Sequence, residues 1–387
     1  MNIYFDNSAT TKCTQEVCDA VLEAMQTTYG NPSSAHRIGM NAEMKVRAAR
    51  ETIAKTLHCS PKEIFFTSGG TESDNWALIG GALANRRAGN HLITTAIEHP
   101  AVLQPMQFLE KQGFQVTYLP VDTFGRIDLK DLERAVCDDT ILVSIMTVNN
   151  EIGTVEPVAD ACSLVKKIRP QILFHTDAVQ AYGKMDLRPR QAGIDLMSVS
   201  GHKIHGPKGI GFLYVKEHSK IIPYQMGGGQ QGGMRSGTDN VPGIAGLAAA
   251  AEACCSGLDE KVNDLRSLKD SLIAGLSGME DVVIHTPCKD PEESAPHIVN
   301  ASFTGVRSEV LLHALEEEGI YVSAGSACST NKKLPVSPVL EQMHLPRAEA
   351  ESALRFSFST MNTEEEVLQC LQVLQKLVPM LRRFSRR

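Results

Sequence analysis

From about residue 62 to residue 215, short apolar runs bounded by Gly, Ser or Asp alternate with longer stretches of helical period. That alternation restricts the segment to an α/β unit, a mostly parallel sheet with crossover helices. Seven strands are expected, at 64–67, 91–95, 115–119, 141–147, 172–175, 195–198 and 210–214. Ligands of such sheets bind beyond the carboxyl ends of the strands. The polar residues that follow these runs therefore carry the most weight: Thr71, His99, Asn150, Asp177 and Lys203.

After a glycine-rich stretch at 227–243, the pattern predicts one long helix from about Ile244 past Leu276. A second, smaller α/β unit follows. Its expected strands are 282–285, 297–303 and 353–359, with a helix over 308–318 and a final helix from Thr363. At 387 residues the chain exceeds the ~100–200 residues of a usual single core, so two cores are expected. The predicted division is a large domain over 16–255 and a small domain built from 1–15 and 256–387.

The net charge of −7 and the scatter of Lys and Arg, apart from Arg382, Arg383, Arg386 and Arg387, give no footprint for nucleic acid. No window approaches the ~18 apolar residues that span a bilayer, and MNIYFDNSATT has no signal-peptide pattern, so a cytoplasmic protein is expected. The ten cysteines include no Cys-x-x-Cys pair and no zinc-site spacing, so no metal is expected. Cys18, Cys137, Cys162 and Cys370 lie in helix-like apolar patterns and read as buried thiols.

Four motifs carry chemistry. FTSGGTESDN reads as a strand, a glycine turn and a helix, with Thr71 at its start and Glu72 and Asp74 in its first turn. Unpaired amides there suit a phosphate, although a plain glycine turn with a capping Thr would look alike. HTDAVQ places Asp177 after a buried strand, where a carboxylate needs a cationic partner or serves as a helix cap, with Gln180 one turn on. SGHKIHGPKGIG presents Lys203 on a short turn, beside Ser200 and His202. Partial burial or nearby cations would lower its pKa and suit it to a Schiff base, although a hairpin turn alone would account for the glycines, and Lys208 is a near rival. In SAGSACSTNKK, Cys328 lacks any apolar pattern to bury it and is followed by Lys332 and Lys333, the marks of an accessible, activated thiol.

Three further positions complete the set. His99 precedes Pro100, which suits a first helical position, and its imidazole can stack on a planar ring. Asn150 offers a ligand both a donor and an acceptor. Arg355, on a strand candidate, needs an anion: a substrate carboxylate or, structurally, Glu72 or Asp74.

Taken in order, YFDNSATT, GNPSSAHRIG, FTSGGTESDN, EHPAV, SIMTVNNEIG, HTDAVQ, SGHKIHGPKGIG, MRSGT, SAGSAC and LRFS resemble the cysteine desulfurases of the NifS/IscS type, class-V aminotransferase-like enzymes. The resemblance runs nearly end to end. It implies the fold type I of pyridoxal-phosphate-dependent transferases. It also implies that Lys203 bonds the cofactor aldehyde, that Gly70, Thr71, Ser200 and His202 hold the phosphate, and that Thr238 reaches the phosphate of a partner subunit in a homodimer. His99 would stack on the ring, Asp177 pair with its nitrogen, Gln180 touch its phenolate oxygen, and Asn150 and Arg355 orient L-cysteine. Cys328 would accept the sulfur as a persulfide for an acceptor protein serving iron–sulfur assembly, tRNA thiolation or a cofactor. A selenocysteine lyase, an aminotransferase or a silent scaffold on the same fold are the alternatives.

Two departures stand out. Most relatives carry a Glu-Arg pair where GGGQQGGMRSGT has Gln231 and Gly232, and relatives that dock an iron–sulfur scaffold often have a longer C-terminal tail. The segment 323–338, with glycine, serines, lysines and prolines, is expected to form a loop that carries Cys328 between cofactor and surface, with helix resuming at Ser337-Pro338.

Overall fold

The computed structural model describes residues 2–288, 290–324 and 336–385. Each of the seven expected strands forms, and together they make one sheet in the order Ile64–Thr67, Gly211–Val215, Leu196–Ser200, Leu173–Asp177, Thr140–Ser144, His91–Thr95, Gln115–Leu119. From Leu196–Ser200 to Gln115–Leu119 neighbours run parallel, while Gly211–Val215 is antiparallel to both of its neighbours.

The pleat divides each strand between two cores, because successive side chains leave opposite faces. Leu142, Leu173, Leu196 and Leu213 pack with Trp76, Leu92 and Met106 on one face. Val143, Phe174, Met197 and Phe212 pack with Ile53, Ile244 and Leu247 on the other. Burial on both faces explains why these strands read as continuous apolar runs rather than alternating ones.

The single long helix expected after Ile244 is two helices, Val241–Cys255 and Leu258–Ser277, bent by 75°. Ser256 ends the first in an extended conformation, and Gly257 turns the chain with φ +60°, a left-handed geometry that glycine adopts without penalty. The bend lets the first helix pack on the large sheet while Leu265, Leu268, Leu272 and Leu276 of the second enter another core.

That other core lies on an antiparallel sheet ordered Ser323–Ala324, Ala353–Ser357, Ile298–Phe303, Val282–Ile284. The expected helices appear as Ser308–Glu317 and Glu364–Ser385, and Ser337 caps Pro338–Gln342 by accepting from the amides of Val339 and Leu340. Ile3–Tyr4 pairs in parallel with Ile320–Tyr321, so Ile3 and Phe5 join Phe303, Phe356 and Leu374 in this core.

Cys162 and Cys370 are buried as expected, but Cys18 and Cys137 are exposed. Cys18 sits on the outer side of a helix whose Val17 and Ala24 face inward, and Cys137 lies beyond the end of Leu129–Ala135, where the helical pattern no longer applies. Among the described residues no single helix is long and apolar enough to cross a membrane.

Replacing Gly257 by Ala adds a Cβ into nearly open space, its nearest neighbour being Glu260 Oε2 at 3.9 Å, so the substitution isolates the backbone cost. Gly257→Ala is expected to lower the unfolding free energy in urea by about 1 kcal/mol, with Gly257→Asn losing less.

Candidate active site

The turns at the carboxyl edge of the large sheet enclose a cavity of about 310 Å³. It is lined by Gly70, Thr71, His99, Asn150, Asp177, Gln180, Ser200, His202, Lys203 and Arg355. Every site residue expected from sequence is therefore here except Thr238, which is exposed and does not line the cavity, and Cys328, which lies outside the described residues with Lys332 and Lys333.

Each side chain is set by a local device. Gly70 opens the helix Gly70–Asn75 directly after the Ile64–Thr67 strand, so first-turn amides, which lack partners within a helix, lie at the cavity. A Cβ on Gly70 would meet Val179 Cγ2 at 2.8 Å, so only glycine lets the backbone come this close. His99 caps Pro100–Lys111, Nδ1 accepting from the Ala101 amide at 3.1 Å, with Pro100 at the first helical position as expected. Asp177 ends a buried strand and accepts from the Val179 amide at 2.9 Å. Lys203 follows the Leu196–Ser200 strand on one turn of 3-10 helix, and its Nζ donates to the carbonyls of Ser8 at 2.5 Å and Ala9 at 2.8 Å.

Burial governs the charges. Desolvation pushes the Asp177 carboxyl up, while His99, the Val179 amide and Lys203 pull it back. Asp74 and Glu98, buried beside it, are held well above the usual carboxylate range, first by desolvation and then, among other terms, by the charge of Asp177. The cavity edge of His99 is open, yet dense surroundings lower its pKa, with Asp177 opposing and Lys203 adding to the shift. His202 falls to about 4, through desolvation and then the charges of Lys203, Lys208 and Lys184. The cavity thus holds one amine, one buried carboxylate floor, hydroxyl and imidazole donors, and Arg355 on its wall.

Arg355 pairs with neither Glu72 nor Asp74. Its Nη2 meets Asp6 Oδ1 at 2.7 Å and its Nη1 donates to the Asn150 carbonyl at 2.9 Å, while Nε is buried without a partner. Glu72 is engaged by Arg235 at 2.8 and 3.1 Å. Sequence reasoning missed the N-terminal strap. Residues 6–11 lie across the site, where Ser8 O accepts from both Lys203 and Gln180, and Thr10 Oγ1 meets His202 Nδ1 at 3.2 Å. Only the resemblance of YFDNSATT hinted at this, because a short polar stretch has no periodicity to read. Asn149 was also missed; its Oδ1 accepts from the amides of Glu151 and Ile152 and so shapes the turn that presents Asn150.

Gln231, one of the two departures, has a distinct task. Its Oε1 accepts from the Phe66 amide at 2.7 Å and its Nε2 donates to the Phe66 carbonyl at 2.8 Å, which ties the glycine-rich loop to the strand leading to Gly70.

The site's donors and acceptors fit pyridoxal phosphate. Gly70, Thr71, Ser200 and His202 offer donors for a phosphate, Lys203 an amine for an aldehyde, and Asp177 a carboxylate for a ring nitrogen. Asp74 Oδ1, also at the cavity, is buried with no hydrogen-bond partner, and His175 Nε2 lies 3.5 Å from it.

A sheet of this topology, with a lysine turn and a buried aspartate at its carboxyl edge, defines a fold type I pyridoxal-phosphate enzyme. The chain belongs to the aminotransferase class-V family, which matches residues 3–370. Within it, the chain is 44% identical over 384 residues to the cysteine desulfurase IscS of Clostridium botulinum, covering 99% of this chain and 96% of that one. A solved NifS-like protein superposes with a TM-score of 0.92 at 41% identity, covering 98% of this chain and all of the other. The structure of SspA in complex with cysteine matches with a TM-score of 0.80 at 34% identity, over 92% of this chain and 99% of that one.

His175 lies under this site, with Nδ1 against Ser144 Oγ at 2.8 Å and Nε2 against Ser198 Oγ at 3.0 Å, and burial lowers its pKa from 6.5 to about 3. Its contribution is complete above pH 6.5 and is lost as pH falls from there, because the unfolded chain takes up a proton that the folded one refuses. The raised pKa values of Asp74 and Glu98 act in the opposite sense, so the histidine is read as a difference. Between pH 6.5 and 4, the slope of the urea-unfolding free energy against pH should be less positive, or more negative, in His175→Gln than in wild type by up to about 1.4 kcal/mol per pH unit.

Proposed function

We propose that this chain is a cysteine desulfurase that uses pyridoxal 5′-phosphate to take sulfur from L-cysteine, leaves L-alanine, and hands the sulfur through Cys328 to an acceptor protein. The observation that carries this reading is the convergence of Lys203 and Asp177 on one cavity in a chain 44% identical to a cysteine desulfurase.

When bound, the cofactor supplies an electron sink for charge developing at the substrate Cα. The residues supply the rest. First-turn amides at Gly70 and Thr71, with Ser200 and His202, hold the phosphate. Asp177 would face the ring nitrogen and favour a proton there, while burial and then the charge of Asp177 hold the Asp74 and Glu98 carboxyls well above the usual range, so that like charges are not crowded together. His99 and Gln180, both on the cavity wall, would take the ring face and the phenolate oxygen. Lys203 would give up its carbonyl partners to hold the cofactor aldehyde, and its free amine at the cavity would serve as the general base for the substrate Cα proton. Arg355 and Asn150 take the substrate carboxylate, and the Arg355 Nε has capacity to spare. The Cys328 thiolate then attacks the substrate sulfur. An S–S bond forms, the Cβ–Sγ bond breaks with its electrons left on the carbon fragment, and protonation of that fragment gives alanine.

The functional unit is a homodimer. Leu22, Met25, Met40 and Met44 on the first two helices and Tyr29 between them, with Met226 at 84% exposure, leave an apolar surface that a second copy would cover, and Thr238 is presented outward to meet its phosphate. We assign a large domain over 16–255 and a small domain built from 1–15 and 256–387, a reading supported by Ile3, Phe5, Leu265, Leu268, Leu272 and Leu276 packing together on the smaller sheet, and we place the protein in the cytoplasm.

Lys203→Ala should lose both turnover and any borohydride-reducible cofactor linkage. Cys328→Ser should keep cofactor colour yet release almost no sulfide and retain no radiolabelled sulfur; normal sulfide release from it would overturn the assignment. Arg355→Lys keeps the charge next to Asp6 but gives up the two-pronged geometry, so KM for cysteine should rise about ten- to a hundredfold, from about 1.5–3 kcal/mol, at unchanged cofactor content.

A further inference from the structure

Away from the catalytic cavity, two adjacent thiols close the helix Val241–Cys255. Cys254 and Cys255 bring their sulfurs to 3.7 Å. Each faces a different space. Cys255 lines an open cavity of about 790 Å³ with Tyr182 and Thr56, and Cys254 lines a separate one of about 200 Å³ with Lys184, Lys261 and the back of Lys203.

We propose that Cys254 and Cys255 form a chelating site for trivalent arsenicals, one arsenic atom bonded to both sulfurs. The geometry favours this over a direct disulfide. Adjacent Cα atoms stand ~3.8 Å apart, whereas disulfides span about 4.4–6.8 Å between Cα atoms, so an S–S bond here would unwind the last helical turn. A single bridging atom spares the backbone, and soft thiolates select soft partners. One of the two thiols is also primed. Hydrogen bonding from Cys254, Thr56 and Tyr182 and the charge of Lys261 lower the Cys255 pKa against its burial, while the same pairing and burial raise that of Cys254.

The reaction balances without an oxidant. A hydrated aryl arsenoxide carries two hydroxyls on arsenic. Each thiol forms an As–S bond, each As–OH bond breaks, and two waters leave with the two thiol protons, with arsenic trivalent throughout. The site also touches the catalytic framework. Cys254 packs on Gly183, where an added Cβ would meet its sulfur at 2.5 Å, and the next residue, Lys184, donates from Nζ to the Lys203 carbonyl at 3.0 Å.

The test uses the holoenzyme and phenylarsine oxide, read by intact mass. One phenylarsenic per chain is expected to survive excess monothiol and to leave on adding a dithiol, because a chelate outlasts single-thiol adducts at exposed cysteines such as Cys18 and Cys137. Cys254→Ser and Cys255→Ser should each lose this adduct, while Cys328→Ser keeps it. Peptide mapping of the native enzyme should place the arsenic on the peptide holding both cysteines, which guards against a variant that fails to fold. A monothiol-resistant adduct mapped elsewhere, or none in the folded enzyme, overturns the proposal.

Discussion

A carboxylate at the end of a buried strand sets the terms for the rest of this molecule. Asp177 is only 6% exposed and has Asp74 and Glu98 for neighbours, so three acids share one poorly solvated corner. Water cannot relieve them, and like charges at that depth cannot all ionise. The surrounding polar groups answer this strain: a backbone amide on Asp177, the Thr95 hydroxyl and the Met146 amide on Glu98, and the amine of Lys203 and the ring of His99 across the cavity. An electron-poor aromatic ring with a protonated nitrogen is the kind of guest such a corner accepts.

The second organising feature is the way the chain's first residues tie the smaller sheet's core to the turns at the carboxyl edge of the large sheet. Ile3 and Phe5 are anchored in the smaller core, Asp6 holds Arg355, Ser8 accepts from Lys203 and Gln180, and Thr11 bonds the His202 carbonyl. Asn7 donates to the carbonyls of Tyr4 and Ser357. Arg355 on the smaller sheet and Lys203 on the turn after Leu196–Ser200 are thereby held by one strap of a few residues.

Much of this was legible beforehand, for identifiable reasons. Strands buried on both faces leave unbroken apolar runs, so all seven could be found, and residues after them fell where α/β sheets place ligands. Lys203, Asp177 and His99 followed from that rule. The break at Ser256-Gly257 was not legible, because the apolar period resumes on the far side and a left-handed glycine leaves no mark in a hydrophobicity pattern. The strap was hidden for a related reason: Ser8 acts through its carbonyl, a group every residue owns. Arg355 was rightly read as needing an anion, but the identity of Asp6, 349 positions away, depends on tertiary structure alone.

Gln231 has a consequence that reaches beyond the cleft. Ile64–Thr67 is the last strand on its side of the large sheet, and such a border offers outward amides and carbonyls on which another polypeptide can add itself. Here the border is already taken. The carboxamide of Gln231 imitates a missing neighbour at Phe66, and Arg50 Nε donates to the Ile64 carbonyl at 3.1 Å. A neutral side chain that both accepts and donates can do this where glutamate could only accept. Gln231 therefore occupies the amide and carbonyl of Phe66 that an added strand would otherwise use.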